Sequence, residues 1–272
     1  MTGCCAFFYD VNHCVESYFK HIYAAYIVWD RAFKKYYLRS VQRALRTDAD
    51  PVALAVLYHD LGKLTKEYKE GNRRVFRHEL VGAYLAYRLI NDNRSQLNLY
   101  VAHAVMLHHE SGIIGIYAGE RGEEFITLST LRDVIESADL SVYCDLTLDP
   151  WYKKAKAVYG NEIDKIASAL SNMNKEDFYE AIKEIVVRAT VGRVADLLTL
   201  RTRTATLLFP LTLVDSIAAS LTRPKELVEG DSGTWLTKRA FGLDEQGLKL
   251  PKAEIPTQDE IMKALRSEGI LT

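Results

Sequence analysis

His59 and Asp60 stand side by side at the end of an apolar run, Ala53-Leu54-Ala55-Val56-Leu57-Tyr58, and Leu61-Gly62-Lys63 follows at once. An imidazole and a carboxylate held against an apolar wall are good donors for a divalent cation. A lysine one turn later can neutralise a phosphate. His78 and the pair His108-His109 add imidazoles further on. Two cations about 3.5–4 Å apart, bridged by a carboxylate, lower the pKa of a shared water and clamp a phosphodiester during in-line attack. These residue types therefore point to metal-dependent hydrolysis of phosphate esters. Taken alone, one His-Asp pair reads more simply as a helix end satisfied by hydrogen bonds, and it is the later histidines that change the reading.

The elements that must carry these residues are mainly helices. Residues 13–38 place Val15, Tyr18, Phe19, Ile22 and Tyr26 at three- and four-residue spacing, which predicts one long helix. Asp50-Pro51 is a helix start, with Asp50 as cap and Pro51 at the first helical position. That helix is expected to run to about Leu61, where Gly62 can end it. Residues 63–77 read as a charged connection. Helices are expected at 78–91 and 96–110. The glycine-containing segment 111–127 reads as a loop or short hairpin. Further helices are expected at 128–145, 150–171, 175–208 and 211–221, the last two separated by Pro210. Residues 223–256 carry repeated Pro and Gly and read as irregular, and Thr257 with Glu260 forms a capping-box pattern before a final short helix. The expected architecture is mostly α: one helical domain over residues 10–222 and an irregular C-terminal extension over 223–272.

The chain has 272 residues, 48% hydrophobic and 26% charged, with a formal net charge of −1. That length can bury one sizeable core. The charge excludes a globally basic protein, so any grip on nucleic acid must come from local patches. No apolar run is read as a membrane span, and the first residues lack the basic start of a signal peptide. No nucleotide-binding glycine loop or 20–50-residue repeat is present. Cys4, Cys5, Cys14 and Cys144 form no C-x-x-C pair. They are expected to be free thiols of a cytoplasmic protein.

Leu57-Tyr58-His59-Asp60-Leu61-Gly62-Lys63, Arg77-His78-Glu79-Leu80 and Leu107-His108-His109-Glu110 occur in that order. In this order and over about residues 13–222 the chain resembles the HD superfamily of metal-dependent phosphohydrolases. Within it, the chain is most similar to the stand-alone HD nuclease subunit of type I CRISPR interference. The resemblance implies an HD-type helical domain and a ligand set of a first histidine, His-Asp, a third histidine, a His-His pair and a late aspartate. His59, Asp60, His78, His108 and His109 match directly. His21, in Ser17-Tyr18-Phe19-Lys20-His21-Ile22, is preferred over His13 as the first histidine. Asp215, in an apolar and small-residue segment, is preferred as the late aspartate over Asp139 and Asp196. His103 lies about 140° round the helix from His108 and reads as structural.

The resemblance further implies two divalent ions, one held by His21, His59, Asp60 and Asp215, the other by Asp60, His78, His108 and His109. Asp60 and Lys63 are the expected catalytic pair. Histidine-rich ligation suits Mn, Fe, Co, Ni or Zn better than Mg alone. From Gly62 to His78 the chain has six basic residues against two acidic ones. Among them, Lys66, Arg73, Arg74 and Arg77 are candidate substrate contacts, and Tyr68 and Phe76 could stack on bases. The implied substrate is single-stranded DNA, with RNA as a second class. The implied partners are a separate CRISPR helicase and a crRNA-guided surveillance complex. Alternatives are a nucleotide or cyclic-nucleotide phosphohydrolase and a degenerate HD module kept for protein contacts.

Overall fold

The computed structural model describes residues 3–10, 13–71, 76–91, 95–109, 128–224 and 257–271. The architecture is mostly α, as the periodicity predicts, with one small hairpin. Strands β1 (Cys5–Asp10) and β2 (His13–Ser17) pair antiparallel. The start of the predicted long helix is therefore a strand, because pairing with β1 outcompetes the local helical pattern. Ser17 then caps α1 (Tyr18–Val28), its side chain accepting from Lys20 N at 3.3 Å. A π-turn at Trp29–Phe33 leads into α2 (Lys34–Leu45). The turn keeps Trp29, Ala32 and Phe33 inside the core, and the Trp29 indole donates to Asp50 Oδ2 at 3.0 Å.

Asp50 also caps α3 (Pro51–Tyr58), accepting from Ala53 N at 3.0 Å. This helix stops at Tyr58, and a 3₁₀ turn over Leu61–Leu64 replaces its predicted last turn. The charged connection contains a short helix, α4 (Lys66–Glu70), before α5 (Glu79–Leu89) and α6 (Leu97–Leu107). Two glycines let these elements touch backbone to backbone. A Cβ on Gly62 would lie 2.1 Å from the His78 carbonyl oxygen, and one on Gly82 would lie 2.2 Å from that of Tyr58. The end of α3 is thereby pressed onto the start of α5.

Helix α7 (Leu128–Ser137) is shorter than predicted, since the chain after it runs back to pair Val142 with Thr65. The span 150–171 is two helices, α8 (Tyr152–Tyr159) and α9 (Asn161–Ser171), broken at Gly160 with φ 57°. Helix α10 (Lys175–Thr190) ends before Gly192, and α11 (Val194–Thr222) runs unbroken through Pro210. The expected break at the proline is absent because Pro210, Leu211, Leu213 and Val214 are all buried. Packing against α1 and α6 offsets a proline penalty of about 3 kcal/mol. Contrary to the reading of no span-length apolar run, α11 is long and apolar enough to cross a membrane, but 56% of its apolar window is buried in the protein core. Thr257 caps α12 (Gln258–Ser267) with the predicted capping box, and Ile261, Leu265 and Ile270 join the same core as α1. The predicted loop at 111–127 and most of the predicted irregular segment lie outside the described residues.

The cysteines correct the expectation of free thiols. Cys4 is bonded to Cys144 and Cys5 to Cys14, with Cα separations of 5.3 and 5.7 Å. Strand pairing sets the second pair across the hairpin. The Thr65–Val142 bridge and the Tyr143 hydroxyl, which accepts from Cys5 N at 2.8 Å, bring Cys144 beside β1. A cross-link spanning 140 positions restricts the unfolded chain by up to about 5 kcal/mol in the entropic account. Cys144→Ser is expected to lower the denaturant midpoint of the oxidised protein clearly. Under thiol reductant the variant and the parent should unfold at nearly the same midpoint; a difference that persists under reductant would show that the cross-link is not the cause.

Candidate metal centre

Five elements deliver the site. His21 lies on α1, His59 and Asp60 follow α3, His78 precedes α5, His108 and His109 follow α6, and Asp215 lies on α11. The helix ends matter, because a residue just beyond the last turn can turn its side chain across the axis rather than along the helix face. His21, His59, Asp60, His78, His108 and Asp215 are buried, and His109 is exposed. The donor atoms fall into two groups, each within 4.8 Å: His21, His59 and Asp215 in one, Asp60, His78, His108 and His109 in the other.

Asp60 sits between them. Its Oδ2 is 3.5 Å from both His21 Nε2 and His59 Nε2. Its Oδ1 is 3.1 Å from His78 Nε2 and 3.9 Å from His108 Nε2. Asp215 Oδ1 completes the first group, 3.0 Å from His21 Nε2 and 3.5 Å from His59 Nε2. The outer ring nitrogens are tied down. His59 Nδ1 meets the Val56 carbonyl at 2.8 Å and His108 Nδ1 meets that of Val105 at 2.6 Å. A carbonyl can only accept, so Nδ1 carries the proton and Nε2 turns a lone pair inward.

This arrangement fits cations. His21 Nε2 and His59 Nε2 approach to 3.3 Å, so the two nitrogens share either a proton or a cation. Asp60 Oδ1, His78 Nε2 and His108 Nε2 are buried and face one another without hydrogen-bond geometry among the described residues, which is costly unless something else coordinates them. Imidazole and carboxylate are the donor types that first-row divalent ions accept.

The electrostatics agree. Burial disfavours the Asp60 and Asp215 charges, but Lys63 and His59 hold the first carboxyl, and His21 and His59 the second, well below the ordinary range. Burial likewise opposes charge on His21, yet Glu16 and Asp215 raise its pKa to about 9. Against its own burial, Glu16 is held at about 2 by His21, Arg223 and Thr222. His109 is exposed as a residue, but burial of its ring within the cluster, with the neighbouring His108 and His78, pushes its pKa down.

The remaining sequence candidates fall as follows. His13 is exposed on β2 beside Asp10, at 2.6 Å. His103 is outside the cluster, its ring nitrogens against the Leu99 and Ile185 carbonyls at 3.0 and 2.9 Å. Asp139 is exposed and accepts from Ser141 N at 3.0 Å; Asp196 pairs with Arg193 at 2.7 Å. Neither approaches the cluster. Lys63 is buried, its Nζ donating to Asp60 Oδ2 at 2.8 Å. Lys66 is exposed, whereas Arg77 is engaged by Glu79 at 2.6 Å. Tyr68 packs its ring 5.2 Å from that of His78. Phe76 is buried at 1% exposure, which removes it as a stacking platform. Arg73 and Arg74 lie outside the described residues.

Sequence reasoning missed Glu16, Glu79 and Arg223. Glu79 adjoins His78 and was open to view, but Glu16 and Arg223 are 207 positions apart and share no local pattern. The geometry makes the late aspartate testable. Asp215→Asn is expected to weaken Mn²⁺ uptake by the metal-stripped protein at least tenfold, and Asp139→Asn to leave it unchanged, both measured by calorimetric titration. The reverse ranking would remove Asp215 from the site.

The sequence is similar to known proteins. The HD domain family matches residues 21–141, a stretch that opens on His21 and closes before Asp215. A relative from Thermoproteus tenax, named CRISPR-associated endonuclease Cas3-HD, is 38% identical over 251 residues, covering 90% of this chain and 100% of the relative. Proteins of the same name from Methanocaldococcus jannaschii and Pyrococcus furiosus are 28% identical over 217 residues and 33% identical over 112 residues. They cover 74% and 35% of this chain, and 84% and 47% of their own lengths. With that degree of identity extending over nearly all of its length, the chain belongs to the Cas3-HD family of CRISPR-associated HD-domain endonucleases.

Proposed function

We propose that this protein is a metal-dependent endonuclease of CRISPR interference that hydrolyses phosphodiester bonds in single-stranded DNA, with RNA as a second substrate class. One observation carries the reading: Asp60 directs one oxygen to each of two separate imidazole groups, as a carboxylate bridging two cations would. His21, His59, Asp60 and Asp215 would hold one divalent ion, and Asp60, His78, His108 and His109 the other. Mn, Ni, Co, Fe, Zn and Mg are the candidates, with the nitrogen-binding metals favoured by the donor set. When bound, such a pair lowers the pKa of a water and neutralises charge on the phosphate.

The chain's own residues supply the rest. The carbonyl-tied imidazoles keep their inner nitrogens fixed, so little reorganisation is needed during reaction. Lys63 holds an ammonium against Asp60 Oδ2, which puts a positive charge beside the reacting phosphate. The exposure of His109 supports entry of substrate from its side, and exposed Lys66 on α4 is a further candidate substrate contact. A separate helicase and a crRNA-guided complex are the proposed partners, a reading supported by relatives named CRISPR-associated endonucleases.

Labelled single strands, free nucleotides and cyclic nucleotides, each assayed with Mn²⁺ or Ni²⁺ and with chelator, test the proposal. Strand cleavage that chelator abolishes is expected, and His59→Ala with Asp60→Ala should be folded, helical and inactive. Hydrolysis of nucleotides alone would replace the nuclease by a nucleotide phosphohydrolase, and no turnover with any metal would leave an interaction module. Lys63→Ala is expected to keep its metal while turnover falls about a hundredfold, the scale of losing one charge-stabilising group. Equal loss of bound metal would reassign Lys63 to holding Asp60.

A further inference from the structure

Two of the clustered imidazoles are backed by carboxylates rather than by main-chain carbonyls. His21 Nδ1 lies 3.2 Å from Glu16 Oε2, an ion-pair contact without hydrogen-bond geometry, and Arg223 Nε donates to that same oxygen at 2.9 Å. Thr222 Oγ1 donates to the other oxygen of Glu16. Across the centre, His78 Nδ1 lies 3.3 Å from Glu79 Oε2, and Arg77 donates to Glu79 Oε1 at 2.6 Å. Each donor group thus contains one imidazole with a buried glutamate behind it and an arginine behind the glutamate. Glu16 and Glu79 are 1% and 2% exposed. Burying a carboxylate is expensive, and simple packing would be served as well by an apolar side chain. The two chains of contact also arise differently: Glu16 comes from β2, five residues before its histidine, whereas Glu79 is the immediate neighbour of His78 at the start of α5.

We propose that Glu16 and Glu79 are positioning residues, one for each ion: Arg223–Glu16–His21 sets how tightly the first position holds its metal, and Arg77–Glu79–His78 does the same for the second. The proposal rests on the two-ion reading above. A carboxylate at the outer nitrogen fixes the tautomer and the ring angle and also makes the inner nitrogen a stronger donor. The main-chain carbonyls behind His59 and His108 fix the tautomer without adding charge. The two affinities are therefore set by separate groups and can be altered one at a time.

Calorimetric titration of the metal-stripped full chain with Mn²⁺ tests this, with the unfolding midpoint in chelator measured alongside. The parent is expected to take up two ions. Glu16→Gln, which keeps the shape and removes the charge, should weaken one binding step ten- to a hundredfold and leave the other unchanged. Glu79→Gln should weaken the other step. In double-mutant cycles Glu16→Gln should be non-additive with His21→Ala and additive with His78→Ala, and Glu79→Gln should show the mirror pattern. A role confined to stability would shift the midpoint in chelator without this selectivity. If Glu16→Gln unfolds before titration, Glu16→Gln combined with Arg223→Met, which leaves no unpaired buried charge, replaces it with the same expected loss. Unchanged Mn²⁺ affinity in both glutamine variants, or equal weakening of both steps in each, overturns the proposal. Uptake of fewer than two ions by the parent would instead overturn the two-ion reading on which it stands.

Discussion

A neutral imidazole has one proton to give, and where it goes decides what the ring can do. His59 and His108 spend theirs on carbonyl oxygens three residues earlier in the chain. His21 and His78 face glutamates with the same nitrogen. In all four rings Nε2 is left pointing into a space shared with two buried carboxylates. Those among them without hydrogen-bond geometry, Asp60 Oδ1, His78 Nε2 and His108 Nε2, cost about 1–3 kcal/mol each out of water. The fold thus concentrates a local deficit of positive charge at one point, and that deficit is its capacity for cations.

Building that point requires close contact between elements far apart in sequence. The glycines at 62 and 82 let the end of α3 meet the start of α5 without side chains between them, which brings His59, Asp60 and His78 within a few ångströms. Helix α11 passes the same spot with Asp215 facing His21. It can do so because Pro210, in a helix that would otherwise break, is held by packing on both sides. The hairpin and its cross-links fix the opposite edge, carrying Glu16 to His21. Stability and function are therefore tied: the same close backbone approaches that exclude water from the core also set the spacing of the donors.

The asymmetry of the site is equally physical. Six donors are buried, whereas His109 is exposed. Lys63 lies under the carboxylate that joins the two groups, and its burial gives its charge far more weight than a surface lysine would have. The basic residues of the connection before α5 divide in the structure. Lys66 faces solvent, but Arg77 is drawn back to Glu79 and serves the centre from behind.

Much of this was legible in the chain. The order His59-Asp60, His78, His108-His109 and the apolar setting of Asp215 were enough to nominate side chains that the fold brings together, because metal chemistry restricts residue types and helical periodicity restricts where they can sit. The helical class, the Asp50 cap and the Thr257 capping box were legible for the same reason: each is a local preference, complete within a few residues. What tertiary structure alone decided were the interactions whose partners are distant. Strand pairing overrode the helix expected at His13, core packing carried α11 through Pro210, and the pairing of β1 and of residue 142 joined cysteines expected to be free. Glu16 meets His21 and is itself held by Arg223, 207 positions away, and no spacing announces either. A local pattern can specify which side chains are available, but the identity of a buried charge's partner depends on which surfaces the fold brings together.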